Sequence, residues 1–213
     1  MTSFVLAFEL SGKINTAALA SESGIVQHDF SASRGRGLIQ AADTLLQGDA
    51  IKRSQVRTIV VGVGPGSYTG LRIACSAAVA LAMALDIPTV GMNSFEAAAF
   101  ASHHQGPLHL LLDAYRNEVY HACFERSHDQ LTTLQEARVI SREAAIQCVH
   151  EGQSYLGDSR FAGPGSTLIG NCDSSARALL ELGFARGLRL DGSGLQHALP
   201  AVPLYLRPAA FRS

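Results

Sequence analysis

The residues best suited to chemistry in this chain lie in a glycine-rich segment, VVGVGPGSYTGLR, at positions 60–72. An apolar strand is followed there by a Gly-Pro-Gly turn and then at once by a helix. Ser67 and Thr69 can cap the first free N–H groups of that helix. Because a helix start favours anions, the segment predicts a phosphate loop. Its candidate residues are Gly64, Gly66, Ser67, Thr69 and Gly70.

The spacing in this loop does not match the common phosphate-binding and nucleophile motifs. A P-loop needs a lysine after its last glycine, but Leu71 follows Gly70. The motif Gly-x-Gly-x-x-Gly fails because Ser67 or Thr69 stands at its last position. A nucleophile elbow around Ser67 would need glycines where Pro65 and Thr69 stand. A capped strand-to-helix turn without a ligand explains the same composition, and this alternative stays open.

Metal-binding and acid–base patterns are weak in the rest of the chain. His109 and His121 could pair across a hairpin, but no third ligand is spaced to join them. The four cysteines form no Cys-x-x-Cys pair, which argues against zinc and against a disulfide framework. Asp113, Arg116 and Glu118 could form an acid–base set. A charged hairpin turn, with Arg116 bridging the two carboxylates, is the favoured interpretation.

Composition limits the classes of protein that this chain can be. Its 213 residues predict one or two domains, and a hydrophobic content of 47% can fill a sizeable core. Lys and Arg number 17 against 18 Asp and Glu, so no overall field attracts nucleic acid or an anionic membrane. No signal peptide is indicated, and the apolar stretch 73–85 falls short of the ~20 residues that span a bilayer. We expect a soluble, cytoplasmic protein without a membrane contact.

The order of the predicted elements indicates an α/β fold with two lobes. A meander of three strands, a helix, a strand, a helix and a strand are followed by a second, reduced set. The Gly-Pro pair at Gly106 separates the sets, so we predict lobes at 1–106 and 107–213. The predicted strands are 4–8, 16–20, 24–30, 58–63, 89–90, 108–113, 118–124 and 167–169, and the predicted helices are 38–46, 71–85, 94–102 (capped by Ser94), 141–150, 174–182 and a turn at 195–199.

The predicted helix at 71–85 carries apolar residues on nearly its whole circumference, and only Arg72, Cys75 and Ser76 interrupt them. Such a helix must be buried nearly all round. In a chain of this size, one face can pack on a sheet while the other needs a partner subunit. A helix that is fully internal to the domain is the alternative, and the residues alone leave both open.

Three segments resemble the TsaB (YeaZ) family. The run GPGSYTGLRI at 64–73 is nearly identical to a run that its members carry. The segment DAYRNEVY at 113–120 is similar to the family's Asp-Ala-Arg-x-x-Glu-Val-Tyr, and PLYLR at 203–207 to its C-terminal Pro-x-Tyr-Leu-Arg. The segments lie in family order and cover nearly the whole chain. The first is specific, whereas the other two would be weak alone.

The resemblance implies a two-lobed fold of the actin/Hsp70/sugar-kinase (ASKHA) class and a non-catalytic scaffold role. The implied complex makes threonylcarbamoyladenosine at position 37 of tRNA, with TsaD as the catalytic subunit and TsaE as an ATPase. Tight RNA binding by this chain alone is not expected, nor is peptidase activity. The implied partner surface consists of Leu38, Ala41, Leu45, Arg72, Ala74, Ala78, Leu81 and Leu85 on the two helices. Self-association through this surface is expected when the partner is absent.

Kinases and ATPases of this fold class end their first strand in an Asp that meets the metal-bound nucleotide. The corresponding residues here are Glu9 and Ser11, which would complete the candidate phosphate loop. Glu9 is one carbon longer than Asp, Arg36 stands where a His-Ser pair is usual, and Tyr115 replaces the family's Arg. We expect no cofactor for the chain alone and ATP or ADP only at the complex interface. A small ATPase or kinase, or a homodimeric protein outside the tRNA pathway, are the alternatives.

Overall fold

The computed structural model describes residues 3–31, 36–47, 53–150 and 152–206, which form two five-stranded sheets and five α-helices. The strands of the first sheet stand in the order β3-β2-β1-β4-β5 and those of the second in the order β10-β9-β6-β7-β8. Strands are β1 Phe4–Glu9, β2 Asn15–Ser21, β3 Gly24–Phe30, β4 Val56–Gly62, β5 Thr89–Met92, β6 Gly106–Asp113, β7 Glu118–Ser127, β8 Gln130–Ser141, β9 Ser154–Gly157 and β10 Thr167–Gly170; helices are α1 Arg36–Gln47, α2 Tyr68–Leu85, α3 Ser94–Ala101, α4 Arg142–Cys148 and α5 Ala176–Ala185.

The first sheet is organised around β1, whose residues are all buried. β1 pairs antiparallel with β2 and parallel with β4, and the predicted meander of β1, β2 and β3 is confirmed. Leu6 and Phe8 belong to the core on the face of α1 and α2, whereas Val5 and Ala7 belong to the core shared with α3 and α5. Burial on both faces explains why β1 and β4 lack a polar alternation.

Helix α2 buries one face and leaves the other in solvent. Ser67 caps its start by accepting a hydrogen bond from Gly70 N at 3.2 Å, as predicted. Ala74, Ala78 and Ala82 pack on the first sheet with exposures of 0%, 0% and 4%. With 18 residues and a mean hydropathy of 1.5, α2 is long and apolar enough to cross a membrane by length and composition alone. Of its residues, 33% are buried, so the alanine face against the sheet accounts for part of that composition.

The second sheet contains two strands that the sequence analysis missed, β8 and β9. β8 alternates exposed and half-buried residues and is rich in Gln, Thr and Glu, so no apolar run marks it. It is nevertheless held by a long antiparallel pairing with β7. β9 has only four residues and lies between β6 and β10. Both strands exist because their neighbours in the sheet satisfy their backbone groups.

Two local predictions were wrong. The cap of α3 is Asn93, whose side chain accepts hydrogen bonds from Phe95 N and Glu96 N, and Ser94 is the first helical residue. Residues 195–199 form no helical turn: Leu199 pairs with Gly91 through two backbone hydrogen bonds of 2.7 and 3.0 Å. A backbone partner in β5 thus decided the conformation of a segment whose own residues allowed a helix.

The C-terminal part of the chain contributes to both sheets. β6 to β10 form the second sheet, but α5 then packs on β1, β2 and β4 of the first. Arg186, at the end of α5, forms an ion pair of 2.9 Å with Glu96 of α3. The predicted lobe boundary near Gly106 coincides with the start of β6 and stays a prediction as a domain division.

Arg126 of β7 joins the second sheet to the end of α3. Its side chain is 8% exposed, and its guanidinium donates hydrogen bonds to the carbonyls of Phe100 and His128. It also lies 3.1 Å from His103 Nδ1 and over the ring of Phe100. The carbonyl groups at the end of a helix lack intrahelical donors and favour a cation. The guanidinium of Arg126 supplies hydrogen-bond donors and a positive charge at this helix end.

Replacing Arg126 by Met should lower the free energy of unfolding by about 2–4 kcal/mol in urea denaturation. Met fills much of the same space but removes the charged donor from the carbonyls of Phe100 and His128, so that Phe100 O keeps only backbone donors such as His103 N at 3.3 Å. Arg138→Met, at an exposed position of β8, is the matched control and should change stability by less than about 0.5 kcal/mol. Equal effects of the two substitutions on the free energy of unfolding would contradict the stabilising role of Arg126 at the end of α3.

Candidate functional site

A cleft of about 1100 Å³ lies between the two sheets, and all three segments that carry the family resemblance meet in it. Residues of 66–72 and of the turn 11–13 form one side of the cleft, which we call its floor. The turn 113–116 and residues 157–161 form the opposite wall, and Leu204 and Tyr205 close one side. Segments far apart in the sequence therefore share one surface, as residues of a functional site do.

The predicted phosphate loop forms the floor of this cleft. Ser67 N donates a hydrogen bond of 2.8 Å to Ser11 O, which joins the loop to the end of β1. A Cβ on Gly66 would lie 2.4 Å from the same oxygen, so only glycine allows this close approach. Ser11, Gly66, Ser67 and Thr69 line the cleft, whereas Gly64 and Gly70 are buried behind it.

Glu9 does not reach the cleft. Its side chain is completely buried, and Oε1 accepts a hydrogen bond of 2.8 Å from Ser11 N. Within the described residues Oε2 has no hydrogen-bond partner, and it occupies the space that a Cβ on Gly62 would fill. Burial raises the pKa of Glu9, and the hydrogen bond from the Ser11 backbone offsets part of this rise. A carboxyl in this position supports the end of β1 and presents no oxygen to a metal-bound nucleotide in the cleft.

Replacing Glu9 by Gln tests this structural role. Because its pKa is raised above 4.5, the folded protein keeps the proton to higher pH than the unfolded chain. The stabilisation by Glu9 is therefore full below the unfolded pKa and is lost as pH rises. We expect the Gln variant to gain stability relative to the wild-type protein as pH rises above 4.5, measured by urea denaturation. If the Gln variant instead loses stability relative to the wild-type protein as pH rises, the fold needs the charged carboxylate.

The opposite wall of the cleft is built on an unusual turn. Tyr115, Arg116 and Asn117 all have positive φ, at 61°, 54° and 61°. Arg160, which the sequence analysis did not single out, lies 3.4 Å from Asp113 and 3.1 Å from Asp158. The carboxylate of Asp113 is thus held by Arg160 rather than by the predicted Arg116. No spacing signal could reveal this pair, because 47 residues separate its members.

A second group that the sequence analysis missed consists of Tyr68, Arg72 and Tyr205. The two tyrosine rings lie 4.5 Å apart between centroids, and the Arg72 guanidinium lies 4.1 Å from the centre of the Tyr68 ring. Arg72 donates hydrogen bonds to both tyrosine hydroxyls, over 2.9 Å to that of Tyr205. Both tyrosines belong to the segments that resemble the family, and this was the signal available for finding them.

The predicted partner surface needs a correction. Leu38, Ala41, Leu45, Ala74 and Ala78 are buried in the core between the helices and the first sheet, because α1 and α2 both pack there. Arg72 is exposed, and Leu81 and Leu85 are half-buried. The solvent-facing side of α2 is formed instead by a stripe at helical spacing. We call this the α2 face; it consists of Arg72, Ser76, Val79, Ala80, Met83 and Ala84.

The two candidate metal ligands, His109 and His121, lie next to each other in the second sheet. His109 Nδ1 and His121 Nε2 are 3.0 Å apart and the rings are stacked. Among the residues that the structure describes, no group of three His, Cys, Asp or Glu side chains is placed to hold a metal ion. Burial, and then the charges of His109 and Arg138, lower the pKa of His121 to about 4. The pair is therefore a neutral hydrogen bond inside the sheet.

Acid should weaken the fold through this pair. Since the pKa of His121 falls from 6.5 to about 4 on folding, the unfolded chain binds more protons between these values. The contribution is present above pH 6.5 and is lost as pH falls toward 4, by about 1.4 kcal/mol for each unit of difference. We expect His121→Gln to flatten the pH dependence of urea denaturation in this range. His197→Gln, at an exposed histidine, should leave it unchanged.

Comparisons with known proteins agree with these features. A family model described as "TsaD: tRNA N6-adenosine threonylcarbamoyltransferase" matches residues 11–188. The TsaB protein of Bacillus subtilis is 38% identical over 86 residues, which are 40% of this chain and 38% of that protein. An uncharacterised protein of Mycobacterium bovis is 30% identical over 212 residues, covering 91% of this chain and 90% of that one. The chain thus matches less than half the length of the curated TsaB relative from B. subtilis.

Among solved structures, YeaZ from Pseudomonas aeruginosa superposes with a TM-score of 0.77 at 23% identity, covering 95% of this chain and 99% of that one. The two sheets, their helices and the cleft between them define a two-lobed α/β protein of the ASKHA class, and the predicted fold class is confirmed. Within that class, the family match and the relatives identify the chain more closely. The chain belongs to the TsaB/YeaZ family.

Proposed function

We propose that this chain is a scaffold subunit in the synthesis of threonylcarbamoyladenosine at position 37 of tRNA, and that it binds the catalytic subunit TsaD. Family membership supports the pathway, because the curated relatives from B. subtilis and Haemophilus influenzae are named as tRNA threonylcarbamoyladenosine biosynthesis proteins. The α2 face is the observation that carries the scaffold role. Most of its residues are apolar, all of them are exposed, and a partner helix can cover them.

The α2 face has the properties of a helix-docking surface. Met83 is 78% exposed and Val79 38%, although a soluble helix normally turns such residues inward. Ala80 and Ala84 stand beside them and let a partner helix approach closely. Ile39 of helix α1, which contacts α2, is also 42% exposed. Each of these two helices therefore presents an exposed apolar side chain to a helical partner.

The relatedness of this chain to TsaD favours TsaD as the protein that binds the α2 face. The family model that matches residues 11–188 carries the description of TsaD itself. A protein of that family is expected to share the fold, and hence to have its own counterparts of α1 and α2. Packing of these four helices would bury related surfaces on both subunits, as in a pseudo-twofold dimer. The same reasoning makes a homodimer the expected state of the isolated chain.

The remaining parts of the proposal concern chemistry and further partners. The chain supplies no catalytic group in this assembly, in line with the burial of Glu9 away from the cleft. ATP or ADP would bind at the interface with the catalytic subunit, TsaE would join as the ATPase, and tRNA would contact the chain only through the complex. The proposed location of this assembly is the cytoplasm.

The first test is the solution mass of the pure chain, alone and mixed with TsaD from the same genome. We expect a homodimer that converts to a heteromer on mixing. In parallel, the gene should restore threonylcarbamoyladenosine, measured by mass spectrometry of tRNA nucleosides, to a strain depleted of its own TsaB. A mass unchanged by TsaD together with failed rescue would refute the proposal. ATP turnover by the pure chain would then favour the kinase alternative.

Met83→Glu should weaken TsaD binding by at least about 100-fold, because a carboxylate would lose its water without gaining a partner. The folded monomer should survive, since Met83 is 78% exposed. Binding is measured by titration calorimetry and folding by circular dichroism. Leu134→Glu, at a residue of β8 that is 51% exposed, is the matched control and should bind normally. Normal binding by both variants would exclude the α2 face.

A further inference from the structure

The group formed by Tyr68, Arg72 and Tyr205 has features that the cleft floor and the α2 face do not explain. Its members come from two distant segments, since 133 residues separate Arg72 from Tyr205. Tyr68 and Tyr205 remain 37% and 39% exposed although their rings contact each other, with an angle of 32° between the ring planes. Interior aromatic clusters are normally covered, so a pair of contacting tyrosines with an arginine at the surface is typical of a binding surface.

Arg72 is oriented but its charge is not neutralised. Two of the five N–H donors of its guanidinium go to the tyrosine hydroxyls. Across the part of the chain that the structure describes, no carboxylate forms an ion pair with it. Three N–H donors therefore remain for an acceptor from outside. A carboxylate is the acceptor whose two oxygens match the planar fork of a guanidinium.

The C-terminal segment that carries Tyr205 is held firmly against the first sheet. Leu199 exchanges two backbone hydrogen bonds with Gly91 of β5, and Leu204 N donates to Val63 O at 2.7 Å. Within this segment, the side chain of Val202 is 61% exposed and that of Leu204 is 36% exposed. The segment thus presents apolar side chains from a fixed backbone, which lowers the entropy cost of binding.

The group is continuous with the α2 face. Arg72 is itself a member of that face and lies seven and eleven residues before Val79 and Met83, on the same side of the helix. Tyr205 contacts Arg72 from the C-terminal segment. One surface therefore runs from Met83 along α2 to Arg72 and on to Tyr205 of the C-terminal segment, with apolar residues of α2 at one end and the aromatic–arginine group at the other.

We propose that Tyr68, Arg72 and Tyr205 form the central anchor of the surface that binds the partner protein, and that Arg72 takes a carboxylate side chain of that partner. The C-terminal segment 199–206 is then part of the interface, and not only the two helices. The inference rests on the proposed function for the identity of the partner. Its own content is the anchor, the C-terminal segment and the acidic residue on the partner.

The test compares variants of the anchor in titration calorimetry of the full-length chain with TsaD at low and high salt. We expect Arg72→Ala and Tyr205→Ala each to weaken binding by about tenfold or more. Arg72→Lys should recover only part of the loss, because an ammonium group cannot pair with both carboxylate oxygens. Tyr205→Phe, which keeps the contact between the two rings but loses the hydroxyl, should have a smaller effect. The Arg72→Ala complex should also lose much of the salt dependence of its Kd.

Two controls separate the anchor from general effects on folding or charge. Leu134→Ala removes a large apolar side chain that is 51% exposed on β8, and Arg189→Ala removes an exposed arginine beyond α5. Both should bind TsaD like the wild-type chain. The thermal midpoint of each variant is measured alongside. If an alanine variant is unfolded, the conservative variants Arg72→Lys and Tyr205→Phe decide the question.

Different failures point to different conclusions. If the Arg72 and Tyr205 variants bind like the wild-type chain while Met83→Glu does not bind, the anchor is refuted and the proposed function stands. An unchanged salt dependence in Arg72→Ala refutes the carboxylate contact. If the isolated chain binds ADP and only this binding depends on Arg72, the group serves a small anion and the proposal is wrong. Absence of any binding by the wild-type chain overturns the function and the anchor together.

Discussion

The contact between the 64–70 loop and the end of β1 is the constraint on which the rest of the structure depends. Ser67 N donates to Ser11 O, and Gly66 leaves no Cβ to separate the two segments. This contact sets where α2 begins and how it lies on the first sheet. It thereby places Ser11, Ser67 and Thr69 on the floor of the cleft and turns the α2 face to solvent. A side chain at position 66 would disturb the cleft and the proposed interface at the same time.

Helix α2 contributes both to the cleft and to the proposed interface because its two sides differ in what they can contact. Small alanines on one side let the helix lie close to β4, and this leaves its larger residues, Val79 and Met83, outside. Its first turn carries Tyr68 and Arg72 to the floor of the cleft, where the C-terminal segment meets them. Because Arg72 also belongs to the α2 face, a change in the cleft that moves Arg72 changes that face as well. One rigid helix can couple a ligand in the cleft to a partner on the surface.

Sequence reasoning predicted the elements with strong local signals and missed those without them. The glycine-rich turn, the Ser67 cap and the buried strand β1 follow from residue types alone, and the pairing of His109 with His121 follows from a hairpin. β8 and the pairing of Leu199 with Gly91 depend on neighbours that lie far away in the chain. Arg160 and Tyr205 likewise gain their roles from partners 47 and 133 residues away. No window of sequence contains both members of such a pair.

The sequence by itself determined the family, the α/β class and the presence of an apolar helix that needs cover on more than one side. It could not decide which side of that helix the chain covers, because alanine, valine and methionine all fit a core. The tertiary structure decided this: Ala74 and Ala78 are buried against the first sheet, whereas Val79 and Met83 are exposed to solvent. The physical reason is distance, since a helix packs closest to a flat sheet through its smallest side chains.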